Sequence, residues 1–148
     1  MEHPLSAFCL RAQRVVIGVA IAGSTLVVWP SQLEPFGLPK ATLAVMAAVI
    51  VAALWAIRVA VTRRSDLPIG AVSLAMTAVI IGMAIATLAS ATPLVAAIGP
   101  IRYTGLVPYL AYFLIALAAM TAFRRVPPKA VLLAILIAGS IEVGYGFL

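Results

Sequence analysis

The run ATLAVMAAVIVAALWAI, from Ala41 to Ile57, decides the fold. It carries no charged residue, and Arg58-Val59-Ala60-Val61 extends it to residue 61. A helix on a soluble protein alternates apolar and polar residues to keep one face wet, whereas a helix crossing lipid needs about 20 largely apolar residues in succession. The segment 41–61 is of the second kind. A membrane span is therefore expected here, and the rest of the chain can be read outward from it.

Toward the carboxyl end the pattern repeats. Charges gather at Arg63, Arg64 and Asp66, Pro68 follows, and a second apolar stretch occupies about 69–90. The link ATPLVAAIGPIRYTGL, 91–106, contains Pro93, Gly99, Pro100 and Gly105, which favour turns or a partly re-entrant segment. Further spans are expected at about 107–123 and 130–148, separated by the basic turn Arg124-Arg125-Val126-Pro127-Pro128-Lys129.

Toward the amino end lies PSQLEPFGLPK, 30–40. Its three prolines remove backbone donors and fix φ, so this stretch is expected to be a loop. Before it, the apolar run Val15–Trp29 is short for a span. Arg11 and Arg14 can reach the interface with their charged ends, which lets the helix begin earlier, giving a span of about 13–29. A cleaved signal peptide is the competing reading, but Trp29-Pro30-Ser31-Gln32 stands where a small-x-small cleavage site would follow.

Composition agrees with this pattern. The chain is 65% hydrophobic and 9% charged, with a mean hydropathy of +1.21. A soluble domain has roughly a quarter of its residues charged, so the surface of this one must face something other than water. The expected fold is all-α: a polytopic transmembrane bundle of about five spans, forming a single membrane domain over 1–148.

Charge placement then sets the expected orientation. With the amino terminus in the cytoplasm, Arg11, Arg14, Arg58, Arg63, Arg64, Arg124, Arg125 and Lys129 fall on the cytoplasmic side, and only Lys40 and Arg102 fall outside. Retention of Lys and Arg in the cytoplasm orients membrane proteins, and every loop obeys the alternation. Trp29, Tyr103 and Tyr109 would stand near the outer interface. The basic residues edge apolar blocks rather than lining a polar face, so a net charge of +6 does not indicate nucleic acid. Membrane lipid is the expected surroundings.

The spans are rich in small residues. Gly18-x-x-x-Ala22 and Ala86-x-x-x-Ser90 would let helix backbones approach closely. Ser24, Thr25, Ser73, Thr77 and Thr121 can bond to helix carbonyls without a reactive role. Cys9 is the only cysteine and His3 the only histidine, so neither a disulfide within the chain nor a metal site is expected, and no cofactor is implied. Cys9 reads as a small residue near the membrane entry, with reversible acylation as the alternative.

Two residues are candidates for chemistry. Glu142 lies about 12 residues into the fifth span, ~18 Å along a helix. A carboxylate at that depth costs a few kcal/mol even on the lenient insertion scale. It is either a proton or cavity site, or a protonated or hydrogen-bonded acid. Arg102 is the only arginine on the expected outer side, and its guanidinium matches phosphate oxygens with paired donors. Its alternative role is an interfacial anchor. No complete catalytic site is present, and none is assigned.

Phe36-Gly37-Leu38-Pro39-Lys40, then Ile98-Gly99-Pro100-Ile101-Arg102-Tyr103-Thr104-Gly105-Leu106 running into Val107-Pro108-Tyr109, and finally Gly144-Tyr145-Gly146-Phe147-Leu148 form a wider pattern. It resembles the amino-terminal part of the O-antigen ligase and polymerase family, over roughly Pro30 to Leu148. The G-x-x-RY-x-GL stretch is its most specific piece. The resemblance implies a polytopic protein of the bacterial inner membrane that moves a glycan from a polyprenyl-diphosphate carrier to an acceptor at the periplasmic face, without a metal. It implies that Arg102 and Tyr103 face the carrier diphosphate. The family's principal catalytic residues lie in a periplasmic loop beyond the reach of this chain, so the 148 residues are expected to be inactive alone and to be part of a longer protein. The unanchored end at Gly144–Leu148 points the same way. Glu142 has no counterpart in the family pattern. Two other readings stay open: a small transporter or channel-like subunit using Glu142, and a non-catalytic helical scaffold.

Overall fold

In a computed structural model of the chain, residues 4–26, 37–63, 67–99, 105–124 and 129–146 are described. Among the described residues the fold is all-helical, in the order α1 (Pro4–Leu26), α2 (Gly37–Thr62), α3 (Ala71–Leu88), α4 (Pro93–Ile98), α5 (Leu106–Ala122) and α6 (Lys129–Gly146). Three segments, Pro4–Ser24, Leu38–Thr62 and Ala71–Leu88, are long and apolar enough to cross a membrane. Leu106–Ala122 and Val131–Ile141 are shorter apolar helices. At 1.5 Å per residue, the 17 residues of α5 reach ~26 Å, just under a hydrocarbon layer of ~30 Å.

Helix ends differ from the expected spans for identifiable reasons. α1 starts at Pro4 and runs through Arg11 and Arg14, because Pro4 occupies a first-turn position whose N–H would have no helical partner. α2 starts at Gly37. The expected loop 30–40 is thus corrected at its end: residues 37–40 form the first turn of α2, where Pro39 forfeits no helical hydrogen bond. Residues 30–36 lie outside the described residues. The link 91–106 contains α4, entered through Thr92 with Pro93 in its first turn.

The core lies where α1, α2 and α5 meet. Ile17, Val51, Ala118 and Ala122 form its buried centre, with Leu10, Val16, Ile21, Ile115, Ala119 and Phe123 packed around them. α1 buries Ser6, Cys9, Gln13, Ile17 and Ala20, spaced three and four apart, so that they share one face. α2 answers with Ala41, Ala44, Ala47, Ala48 and Val51, and α5 with Ala111, Ala118 and Ala122. Between lipid-embedded helices the apolar effect adds nothing; close packing of small side chains is what holds the pair.

α1 and α2 are antiparallel. Gln13 reaches Val51, and ten residues further along α1, a methyl group added at Gly23 would come within 2.9 Å of Leu43. α6 packs on α1, beginning beside Gly18, where an added methyl would meet Val131 at 3.8 Å. Gly18 therefore serves as the close-approach residue its spacing suggested, whereas Ala86 of the second small-residue pair is exposed. α3 packs on α5 and α4 and is otherwise uncovered, with Ser73 as its one buried residue.

Candidate functional site: a polar seam and a pinned link

Polar side chains concentrate where α1 meets α2 and α5. Gln13 is fully buried, and its Nε2 donates to the Val51 carbonyl at 3.3 Å. Its Oε1 has no hydrogen-bond partner among the described residues, and neither has the buried indole N–H of Trp55. Arg58, near the end of α2, is only 3% exposed, and its carbonyl accepts the Thr62 hydroxyl at 2.8 Å. Ser6 and Cys9 are buried on the same face of α1 as Gln13. Burial of Cys9 corrects the acylation alternative, because an acyl-transfer enzyme cannot reach a thiol at 2% exposure.

Arg14 departs from the snorkelling role given to it. Its Nε donates to the Ala122 carbonyl at 2.8 Å, joining residues 108 positions apart. Ala122 is the last residue of α5, where four carbonyls have no helical donor. A cation placed there also suits the negative end of the helix dipole. Thus one arginine satisfies an orphan carbonyl and fixes α5 against α1.

The expected small-group bonds are present. Ser24 donates to Ile21 O, Thr77 to Ser73 O and Thr121 to Ala118 O, each at 2.7–2.8 Å. Ser73 adds a reciprocal pair with Gly70 at the start of α3, accepting from its N–H at 3.0 Å and donating to its carbonyl at 2.9 Å. These bonds explain the hydroxyls as helix-satisfying groups. The side chain of Thr25 lies outside the described residues.

Beside Trp55 is a cavity of ≈ 20 Å³ lined by Val51, Trp55, Pro68, Leu114, Ala118 and Thr121, among others. Small-molecule sites occupy roughly 300–1,000 Å³, so this space is too small for a substrate. Among the described residues no three His, Cys, Asp or Glu side chains come together.

The candidates Arg102 and Tyr103 lie outside the described residues, but both ends of the link that carries them are described. Gly99 ends α4 at φ 83°, a backbone conformation that disfavours any residue with a Cβ. Gly105 is buried, and a Cβ there would collide with the Ala97 carbonyl and Ile98. The Gly105 N–H donates to Ile98 O at 3.3 Å, so the two ends of the 99–104 segment are pinned together. Both glycines of the G-x-x-RY-x-G stretch thus have a backbone reason. On α5 just beyond, Tyr109 and Tyr112 pack edge to face at 6.3 Å between ring centres, both exposed.

Glu142 lies within α6, one turn beyond the buried Ala138, and its side chain falls outside the described residues. Neither Arg102 nor Glu142 can therefore be joined to the α1–α2 seam. The seam itself escaped sequence reasoning. Its signal was the spacing of Ser6, Cys9, Gln13, Ile17 and Ala20, which starts in a stretch too polar to be read as part of a span. No protein-family model matches the chain, and no curated protein and no solved structure matches it either.

Proposed function

We propose that the chain is the amino-terminal membrane region of a glycan ligase or polymerase of the O-antigen type, embedded by five helices in the inner membrane of a bacterium with its amino terminus in the cytoplasm. Its role is to hold one side of the periplasmic cavity in which a polyprenyl-diphosphate-linked glycan is positioned for transfer. Arg102 and Tyr103 face the diphosphate, whose developing negative charge needs cations as the glycosidic bond breaks.

The observation that carries this reading is the arrangement of the two ends of the bundle. Arg14 meets the last carbonyl of α5, and Arg63 and Arg124 follow the ends of α2 and α5. The pinned link between α4 and α5, which brackets the G-x-x-RY-x-G stretch, stands at the other end of α5. Cations retained in the cytoplasm at one end leave that link for the periplasm.

The test is glycan transfer by the native gene product carrying Arg102→Ala. Loss of a group that stabilises a leaving charge costs about a hundredfold in rate, and Arg102→Lys should recover part of it. Wild-type transfer by a normally abundant Arg102→Ala protein would remove the proposed role. The native product should also be several times heavier than 15.4 kDa, because the family's catalytic loop must follow these helices.

A further inference from the structure

The bundle is stepped at its cationic end. α5 finishes against Arg14 and α6 begins beside Gly18, while α1 continues back for ten more residues to Pro4. Ten helical residues span ~15 Å. One face of that projecting piece is uncovered: Phe8 and Val15 are each 64% exposed, and Arg11 between them is exposed as well. Residues 8, 11 and 15 are spaced three and four apart and so share a face.

At the foot of the step stand more cations. Arg14 is fixed there by its bond to Ala122, which uses one of the guanidinium's five donors. Arg124, two residues past Ala122, and Lys129, the first residue of α6, are exposed. Among the described residues no carboxylate stands at this end. Even with Glu2 and Asp66 assigned to it, eight basic residues face two acidic ones. Such a group repels itself unless an anion lies among its members.

We infer that this step is a binding site for the headgroup of an anionic phospholipid, its phosphate held by Arg11, Arg14 and Arg124 and its acyl chains lying along Phe8 and Val15. Guanidinium groups match phosphate oxygens with paired donors. A free phosphate would use the cations but has no need of the apolar residues on either side of Arg11, whereas a lipid uses both. The site requires only that the bundle lie in a bilayer. It is independent of the glycan-transfer reading and of the chemistry of Arg102.

The experiment is lipid retention by the full chain, extracted from vesicles of phosphatidylcholine with added phosphatidylglycerol and weighed intact by native mass spectrometry. The expected result is selective retention of phosphatidylglycerol. Arg11→Gln with Arg124→Gln, both exposed and outside the packed core, should weaken it about fivefold for each cation removed, while Lys40→Gln at the opposite end of α2 leaves it unchanged. Phe8→Ser with Val15→Ser should weaken it too. Equal retention of phosphatidylcholine would overturn the site, as would an equal loss from Lys40→Gln, which would mean unlocalised charge attraction. Displacement of the lipid by inorganic phosphate at similar concentration would show a free-anion site instead and overturn it as well.

Discussion

Gln13 shows how finely a single buried amide is balanced. Its bond to Val51 O joins two helices, and bonds of this kind within a membrane contribute ~0.6 kcal/mol on average. Its other end, Oε1, is buried without a partner, and an unsatisfied acceptor costs about 1–3 kcal/mol. The two terms roughly cancel. Gln13→Leu, which keeps the volume, should therefore change stability by less than ~1 kcal/mol, whereas Gln13→Ala leaves a void and should cost about 2 kcal/mol. Denaturation in mixed micelles separates these outcomes, and an equal loss in both variants would show that the amide matters more than its volume. Glycines divide in the same way. Gly105→Ala drives a methyl into the Ala97 carbonyl and should cost about 2–3 kcal/mol, while Gly82→Ala, where an added Cβ meets nothing, should be neutral or slightly stabilising. The need for glycine at 105 was written in a motif. The burial of Gln13 was not, because it depends on α2 lying across that face.

Among the elements, α5 depends most on a residue it does not contain. Its final carbonyl is satisfied by Arg14 of α1, and hydrogen bonds from a charged donor contribute about 1.5–3 kcal/mol when well formed. Since Arg14 is partly exposed, a loss of about 1–2 kcal/mol is expected for Arg14→Gln. The loss should appear as faster amide exchange in the last turn of α5, with α3 unaffected. Faster exchange throughout the bundle would mean that Arg14 holds the whole fold rather than one helix end. Helix identity was legible from long apolar runs, as at 41–61 and 69–90. Helix starts were not, since a proline in the first turn, as at Pro4 and Pro39, looks the same in a sequence as one that ends a helix.

Taken as a whole, the molecule has a packed three-helix centre and two thinly covered flanks. α3 leaves Val72, Leu74, Val79, Ile81, Ile85 and Leu88 exposed, and α6 leaves Leu132, Leu133, Leu136 and Ile141 exposed. Apolar surface on this scale is unfavourable in water and ordinary against lipid tails. The proposed sidedness belongs to this scale. In a Cys9→Ser background, Lys40→Cys should react with an impermeant maleimide added outside intact cells, and Arg124→Cys only after the membrane is opened. Labelling of Arg124→Cys from outside would reverse the orientation.

What the sequence determined by itself was class. Long uncharged runs such as Ala41–Ile57 force helices, because in lipid each backbone N–H and C=O must be satisfied within its own segment. Glycines at 99 and 105 announced a tight turn by the same local logic. Tertiary structure alone decided which faces meet. The choice of Ala44, Ala48 and Val51 to face α1, the reach of Arg14 to a carbonyl 108 residues away, and the step left uncovered at Phe8, Arg11 and Val15 are all non-local. In so alanine-rich a chain many helix faces are smooth enough to pack. The selection among them comes from the summed fit of several helices, which no single segment contains.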